Sequence, residues 1–281
     1  MARRKSSYKK KPSRVRRTYG SRRSSSNLGW YIAIGVCVLV IVGVFVGSQT
    51  LISNSKVNEA TLCHTDGPVN VTAILLDLTD PLSNTQQIRL KTIIENEIAS
   101  SSTDTMISLG VVSEEPQRWG SLFAKCKPAT GEQANALYEN PSLIADRYQR
   151  EFLIPISDKI DATLVGQAES QSPIMEALQS LIASTPDFTR ARGQRKFVIV
   201  SDMLQHSDTL SFYRNQGWEY FSSRDGELRL AANLQNVSIE IMRIPRSGNN
   251  IPSRELVENF WTRYFDRQGS KVPSVSSMGD L

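Results

Sequence analysis

Residues 69–83 read VNVTAILLDLTDPLS, an apolar run that stops on an acidic, hydroxyl-bearing turn. A continuous run rich in Val, Ile and Leu and bounded by turn residues predicts a buried strand over 69–78. Strands hidden on both faces belong to parallel sheets covered by helices, whereas half-solvated strands alternate apolar with polar. The next stretch, 83–99, spaces Ile88, Leu90, Ile93, Ile94 and Ile98 along one helical face.

The alternation continues along the chain. Strands are predicted at 105–112, at 196–201 (KFVIVS) and at 237–244, with a short edge strand at 122–127. Helices are predicted over 141–164, interrupted near Pro155, over 173–183, with Pro173 in the first turn, and over 254–265. Strands alternating with helices predict an α/β domain over 69–269, a mostly parallel sheet with helices on both faces. Residues 270–281 read as a flexible C-terminal tail.

On the N-terminal side, 48–68 is polar and reads as a linker that spans roughly 70 Å if fully extended. Before it, 28–46 carries no charged side chain. A helix of that length covers about 28 Å, close to the ~30 Å hydrocarbon core of a bilayer. This predicts a transmembrane signal-anchor helix over 28–47, with Trp30 and Tyr31 at the membrane interface. Gly47 and Ser48 are small enough for signal-peptide cleavage, but the apolar stretch exceeds the usual secretory length of about 7–15 residues. Gly43 and Gly47 form a GxxxG, a pattern too common to establish helix pairing.

Residues 1–27 contain 11 Lys and Arg and no acidic residue, leaving 22 basic against 28 acidic side chains for the rest. Such a segment reads as a disordered basic tail, retained in the cytoplasm by the positive-inside rule. The C-terminal domain is then extracytoplasmic, with a bacterial inner membrane facing the periplasm as the preferred setting. Attraction of the tail to anionic lipid accounts for its charge without a nucleic-acid partner.

Several chemistries drop out. The two histidines, His64 and His206, exclude an HExxH metalloprotease, and the sequence has no GxxxxGK[ST], GxGxxG, CxxC or GxSxG. Cys37 lies inside the apolar span. Cys63 and Cys126 fall on the translocated side, both at the N-terminal edge of the expected sheet, and predict a disulfide. It would close a loop of about 64 residues and stabilise by roughly 4 kcal/mol.

In open α/β sheets ligands bind beyond the carboxyl ends of the strands. Two acidic tips stand there: Asp77-Leu78-Thr79-Asp80-Pro81-Leu82-Ser83 and Val200-Ser201-Asp202, with Ser170-Gln171-Ser172-Pro173 between them. Asp and Thr at such ends also serve simply to cap the next helix. Here the chain resembles the von Willebrand factor A family over about residues 69–267. That family's metal-ion-dependent adhesion site combines Asp-x-Ser/Thr-x-Ser, a later loop Thr, and an Asp after the fourth strand. The resemblance implies metal ligands at Asp77, Thr79, Ser172 and Asp202. Pro81 departs from the pattern, leaving Asp80 or Ser83 to substitute. Carboxylates and hydroxyls form a hard oxygen shell suited to Mg²⁺ or Mn²⁺, with an open position for a partner's carboxylate.

Joined to the anchor read from residues 1–47, the resemblance implies a membrane-anchored protein-binding module of the cell envelope, metal-assisted or shape-based, without catalysis and with a protein partner. The alternatives are a structural subunit of an envelope assembly that ignores the metal, and a membrane-bound hydrolase. For the latter, His206 and Asp208 stand near Ser201 and Ser207, but Ser207 or Asp208 is more simply a helix cap. A haloacid dehalogenase phosphatase needs an Asp where Thr79 stands. Trp218, Tyr220 and Phe221 form either an aromatic contact patch or part of the core.

Overall fold

Asn70–Asp77 forms β1, and its flanks carry the strands on which the rest of the domain is hung. The structure is a computed structural model describing residues 28–53, 57–134, 139–164, 168–246, 248 and 250–278, with side chains of 28 and 46–53 excepted. The chain divides into two units, Met1–Ser53 and Asn54–Leu281.

In the first unit, α1 (Leu28–Ser53) extends the helix expected over 28–47, and Trp30 and Tyr31 are exposed on it. Among the described residues no helix is long and apolar enough to cross a membrane. The basic tail lies outside the described residues.

In the second unit the elements run β1, α2 (Asn84–Ser100), β2 (Thr105–Val112), β3 (Ser121–Cys126), α3 (Pro141–Tyr148), α4 (Ile154–Leu164), α5 (Ile174–Ser184) and β4 (Arg195–Ser201). They continue with α6 (Trp218–Ser222), α7 (Gly226–Arg229), β5 (Ser238–Arg243), α8 (Arg254–Arg267) and β6 (Ser274–Ser277). The six-stranded sheet has the order β3-β2-β1-β4-β5-β6, with β3 antiparallel to β2 and every other pairing parallel. This is the expected fold class, a mostly parallel Rossmann-like α/β sheet. Strand order reverses between β1 and β4, so the carboxyl ends of these two strands flank the switch point.

The pleat sends successive β1 side chains to opposite cores. Val71, Ala73 and Leu75 pack with α5 and α8, while Ile74 and Leu76 pack with α2 and α4. Full burial of each Leu or Ile is worth about 1.5–3 kcal/mol, which is why this strand reads as continuously apolar. Trp218 and Phe221 belong to the first core, their rings 5.9 and 5.3 Å from that of Phe260. They are core rather than a contact patch. Tyr220 is only partly buried, with the Arg224 guanidinium 4.8 Å above its ring.

Local chemistry fixes the element ends. Ser83 caps α2, its hydroxyl accepting from Gln86 N while the Gln86 side chain accepts from Ser83 N. At the other end Lys127 Nζ donates to the carbonyls of Ala99 and Ser101 at 2.7 and 2.6 Å. Burial pushes this ammonium below its ordinary pKa. The interruption expected near Pro155 is a π turn, Gln149–Leu153, joining α3 to α4 without a break. Pro155 has no N–H to offer Glu151, and the freed Glu151 carbonyl accepts from Lys125 Nζ at 3.0 Å.

The disulfide Cys63–Cys126 is formed, and Cys126 pairs with Met106 at the N-terminal end of β2. Two boundaries differ from expectation. Residues 57–68 are not a free linker: Val57 bridges His64, and Leu62 is buried. The C-terminal segment is not a loose tail, because Ser274–Ser277 pairs with β5 and Met278 N donates to Arg243 O. This pairing satisfies β5 backbone groups on the side away from β4.

Candidate functional site

The last residue of β1, Asp77, is buried and surrounded by hydroxyls. Its Oδ1 accepts from Thr79 Oγ1 at 2.8 Å; its Oδ2 accepts from Ser201 Oγ at 2.6 Å and Ser172 Oγ at 3.1 Å. Each donor arrives by a different route. Thr79 comes from the turn after β1, where its carbonyl accepts from Glu169 N at 2.8 Å. Ser172 is held by two backbone hydrogen bonds with His206, just before Pro173 opens α5. Ser201 ends β4, beside β1 in the sheet.

Asp202 follows directly and is 5% exposed. Its Oδ1 accepts from Leu204 N at 2.8 Å and its Oδ2 from Arg246 Nε at 2.8 Å. Burial, and then the negative charge of Asp77, push its carboxyl up to about 6, against the opposing pull of Leu204 N–H and Arg246. The turn beyond it is rigidly built. Met203 adopts φ +66°, unusual for a side chain with a Cβ, and Trp261 Nε1 donates to its carbonyl at 2.8 Å. A core residue of α8 thereby positions the acidic tip.

The structure brings together four of the expected residues, Asp77, Thr79, Ser172 and Asp202. Asp80 joins them indirectly, its Oδ2 lying 2.8 Å from Nη2 of Arg246. Ser83 does not join, because its hydroxyl is committed to the cap of α2. Sequence reasoning missed two members. Ser201 was legible only as a neighbour of Asp202, and Arg246, beyond β5, carries no local signal of its destination.

Among the described residues no group of three or more His, Cys, Asp or Glu side chains is arranged to hold a metal ion. The donor set is of another kind, two buried carboxylates with hydroxyls. Thr79 and Ser172 each give their proton to Asp77, so their oxygen lone pairs stay available to a cation. Hard oxygens of this type fit Mg²⁺ or Mn²⁺. From Asp202 and Arg246 a cavity of about 700 Å³ runs past Trp261 and Phe265 of α8 towards Val275 of β6.

Hydroxyls near His206 serve the loop. Its Nδ1 lies 2.7 Å from Ser211 Oγ, but Ser211 is fully buried. Ser207 Oγ donates to Glu176 at 2.7 Å and accepts from Thr209 N at 3.2 Å. Burial first, and then Arg214, lower the His206 pKa against the pull of Asp208.

Neither a family model nor a curated protein matches the chain. Among solved structures it is similar to an aerotolerance-related membrane protein from Bacteroides fragilis, 13% identical with a TM-score of 0.36, covering 74% of this chain and 91% of that one. It is also similar to the SpRpn10 VWA domain, 14% identical with a TM-score of 0.37, covering 74% and 87% respectively. A third, the ArnB paralog VWA2 from Sulfolobus acidocaldarius, is 11% identical with a TM-score of 0.39, covering 74% of this chain and 41% of its own.

Proposed function

We propose that the chain is a membrane-anchored, extracytoplasmic protein-binding module of von Willebrand factor A type, acting in the cell envelope without catalysis. The observation that carries this reading is the convergence of three hydroxyls on Asp77 beside Asp202, beyond the carboxyl ends of β1 and β4. Asp77, Thr79, Ser172 and Asp202 would hold Mg²⁺ or Mn²⁺. A bound divalent ion supplies an electrophilic position for a partner's carboxylate.

Anchoring rests on the sequence of 28–46, an apolar stretch without a charged side chain that directly follows the basic tail. The basic stretch before it supports a cytoplasmic N-terminus and attraction to anionic lipid. The disulfide supports an oxidising compartment for the second unit.

Co-purification of the tagged full chain from solubilised membranes tests the reading. A partner retained by wild type and lost from both Asp77→Ala and Asp202→Ala supports it. Retention by both variants supports a second reading, a structural subunit binding through other surfaces. That alternative is favoured by one observation, the Arg246 guanidinium already lying against Asp202 and Asp80. A phosphoesterase or esterase activity lost with Asp77→Ala would overturn both in favour of a hydrolase.

A further inference from the structure

We infer that Arg246 is a tethered cation that competes with divalent metal for Asp202, so that this one side chain sets how tightly the cleft binds Mg²⁺ or Mn²⁺. The inference deepens the reading of the cleft as a metal centre and rests on it.

The charge balance comes first. Asp77, Asp80 and Asp202 bring three carboxylates to the carboxyl edge of the sheet, and among the described contacts Arg246 is a cation shared by Asp80 and Asp202 alone. Asp77 itself takes hydrogen bonds from neutral hydroxyls, supplemented by a long one from Thr79 N at 3.4 Å. A buried carboxylate pair with so little positive charge favours a cation over an anion as its next ligand.

Geometry decides which atom is contested. The Oδ1 of Asp202 is turned to Leu204 N, so Oδ2 is the oxygen left to face a ligand, and there Arg246 Nε sits at 2.8 Å. A guanidinium and a hard divalent ion compete for the lone pairs of this one oxygen and repel each other at this range, so each weakens the binding of the other.

Arg246 also has somewhere to remain. Its Nη2 lies 2.8 Å from Oδ2 of Asp80, a carboxylate whose side chain is 47% exposed against 5% for Asp202. The guanidinium therefore releases the buried carboxylate while keeping the solvated one, which makes the exchange reversible. The departure at Pro81 is consistent with this arrangement. The turn that lacks the third side-chain oxygen instead presents Asp80, which anchors the internal cation.

The test is Mn²⁺ binding to the full chain in detergent micelles, read from loss of the free-ion electron paramagnetic resonance signal. Wild type is compared with Arg246→Gln, Arg246→Lys and Arg246→Gln/Asp202→Asn, each first shown to unfold cooperatively. Arg246→Gln is expected to bind roughly tenfold or more tightly than wild type, as removal of an adjacent positive charge requires. Arg246→Lys should stay near wild type, and Asp202→Asn should abolish the gain. Equal, measurable affinity in wild type and Arg246→Gln overturns the competition while leaving the metal centre standing. Absence of Mn²⁺ binding in every variant overturns the competition and the metal centre together.

Discussion

Oδ2 of Asp202 accepts from Nε of Arg246 at 2.8 Å although 44 residues separate them. Even with that partner, burial and the charge of Asp77 keep the Asp202 carboxyl at about 6. The domain therefore carries an electrostatic penalty at neutral pH that metal or a neutral side chain would relieve.

The penalty has a definite pH window. Because the folded-state value lies above the ordinary 3.8, the native state binds the extra proton. Stability from this group is complete below about pH 4 and is lost as pH rises through about 6, a total of roughly 3 kcal/mol. Asp202→Asn keeps this position uncharged at every pH. In EDTA its melting temperature should exceed that of wild type at pH 7.5, with the gap closing near pH 4. A gap independent of pH, or a less stable variant at pH 7.5, would contradict this.

The cross-link at the opposite edge of the sheet makes a separate prediction. Cys63 and Cys126 are 63 residues apart in sequence, and opening their bond restores the entropy of that loop to the unfolded chain. Cys63→Ala and the double variant Cys63→Ala/Cys126→Ala should each lose about 4 kcal/mol. Reductant should lower the melting temperature of wild type but leave the double variant unchanged.

Packing between the sheet and α5 is equally specific. A Cβ at Gly110 would stand 2.8 Å from the Gly120 carbonyl oxygen and 2.9 Å from Leu181 Cδ1. Both neighbours are confined, one by its backbone and one by the core, so Gly110→Ala should cost about 1–3 kcal/mol by overpacking. Thermal unfolding of the variant at pH 7.5 measures it, and unchanged stability would show that β3 or α5 yields freely.

Features encoded by contiguous residues were legible before any coordinates. β1 declared itself by unbroken apolarity, and the edge placement of Cys63 and Cys126 followed from strand direction. Ser83 looked like a substitute ligand, and only the hydrogen bond that its hydroxyl accepts from Gln86 N shows it instead as the cap of α2. β6 was illegible because Ser-Val-Ser-Ser shows no apolar run; backbone pairing to β5 creates it. Arg246 was illegible for a different reason. Its role depends on the sheet bringing the loop after β5 over the tips of β1 and β4, and no spacing in the chain encodes that meeting.

The most direct test of the central claim is thermal unfolding of the full chain in detergent with millimolar Mg²⁺ or Mn²⁺ against EDTA, alongside Asp77→Ala and Asp202→Ala. A ligand that binds only the folded state raises its stability, by about 2.7 kcal/mol at a hundred times its Kd. The account predicts a metal-dependent rise in wild type that disappears in both variants. No rise at millimolar metal, or a rise that survives both substitutions, would contradict it.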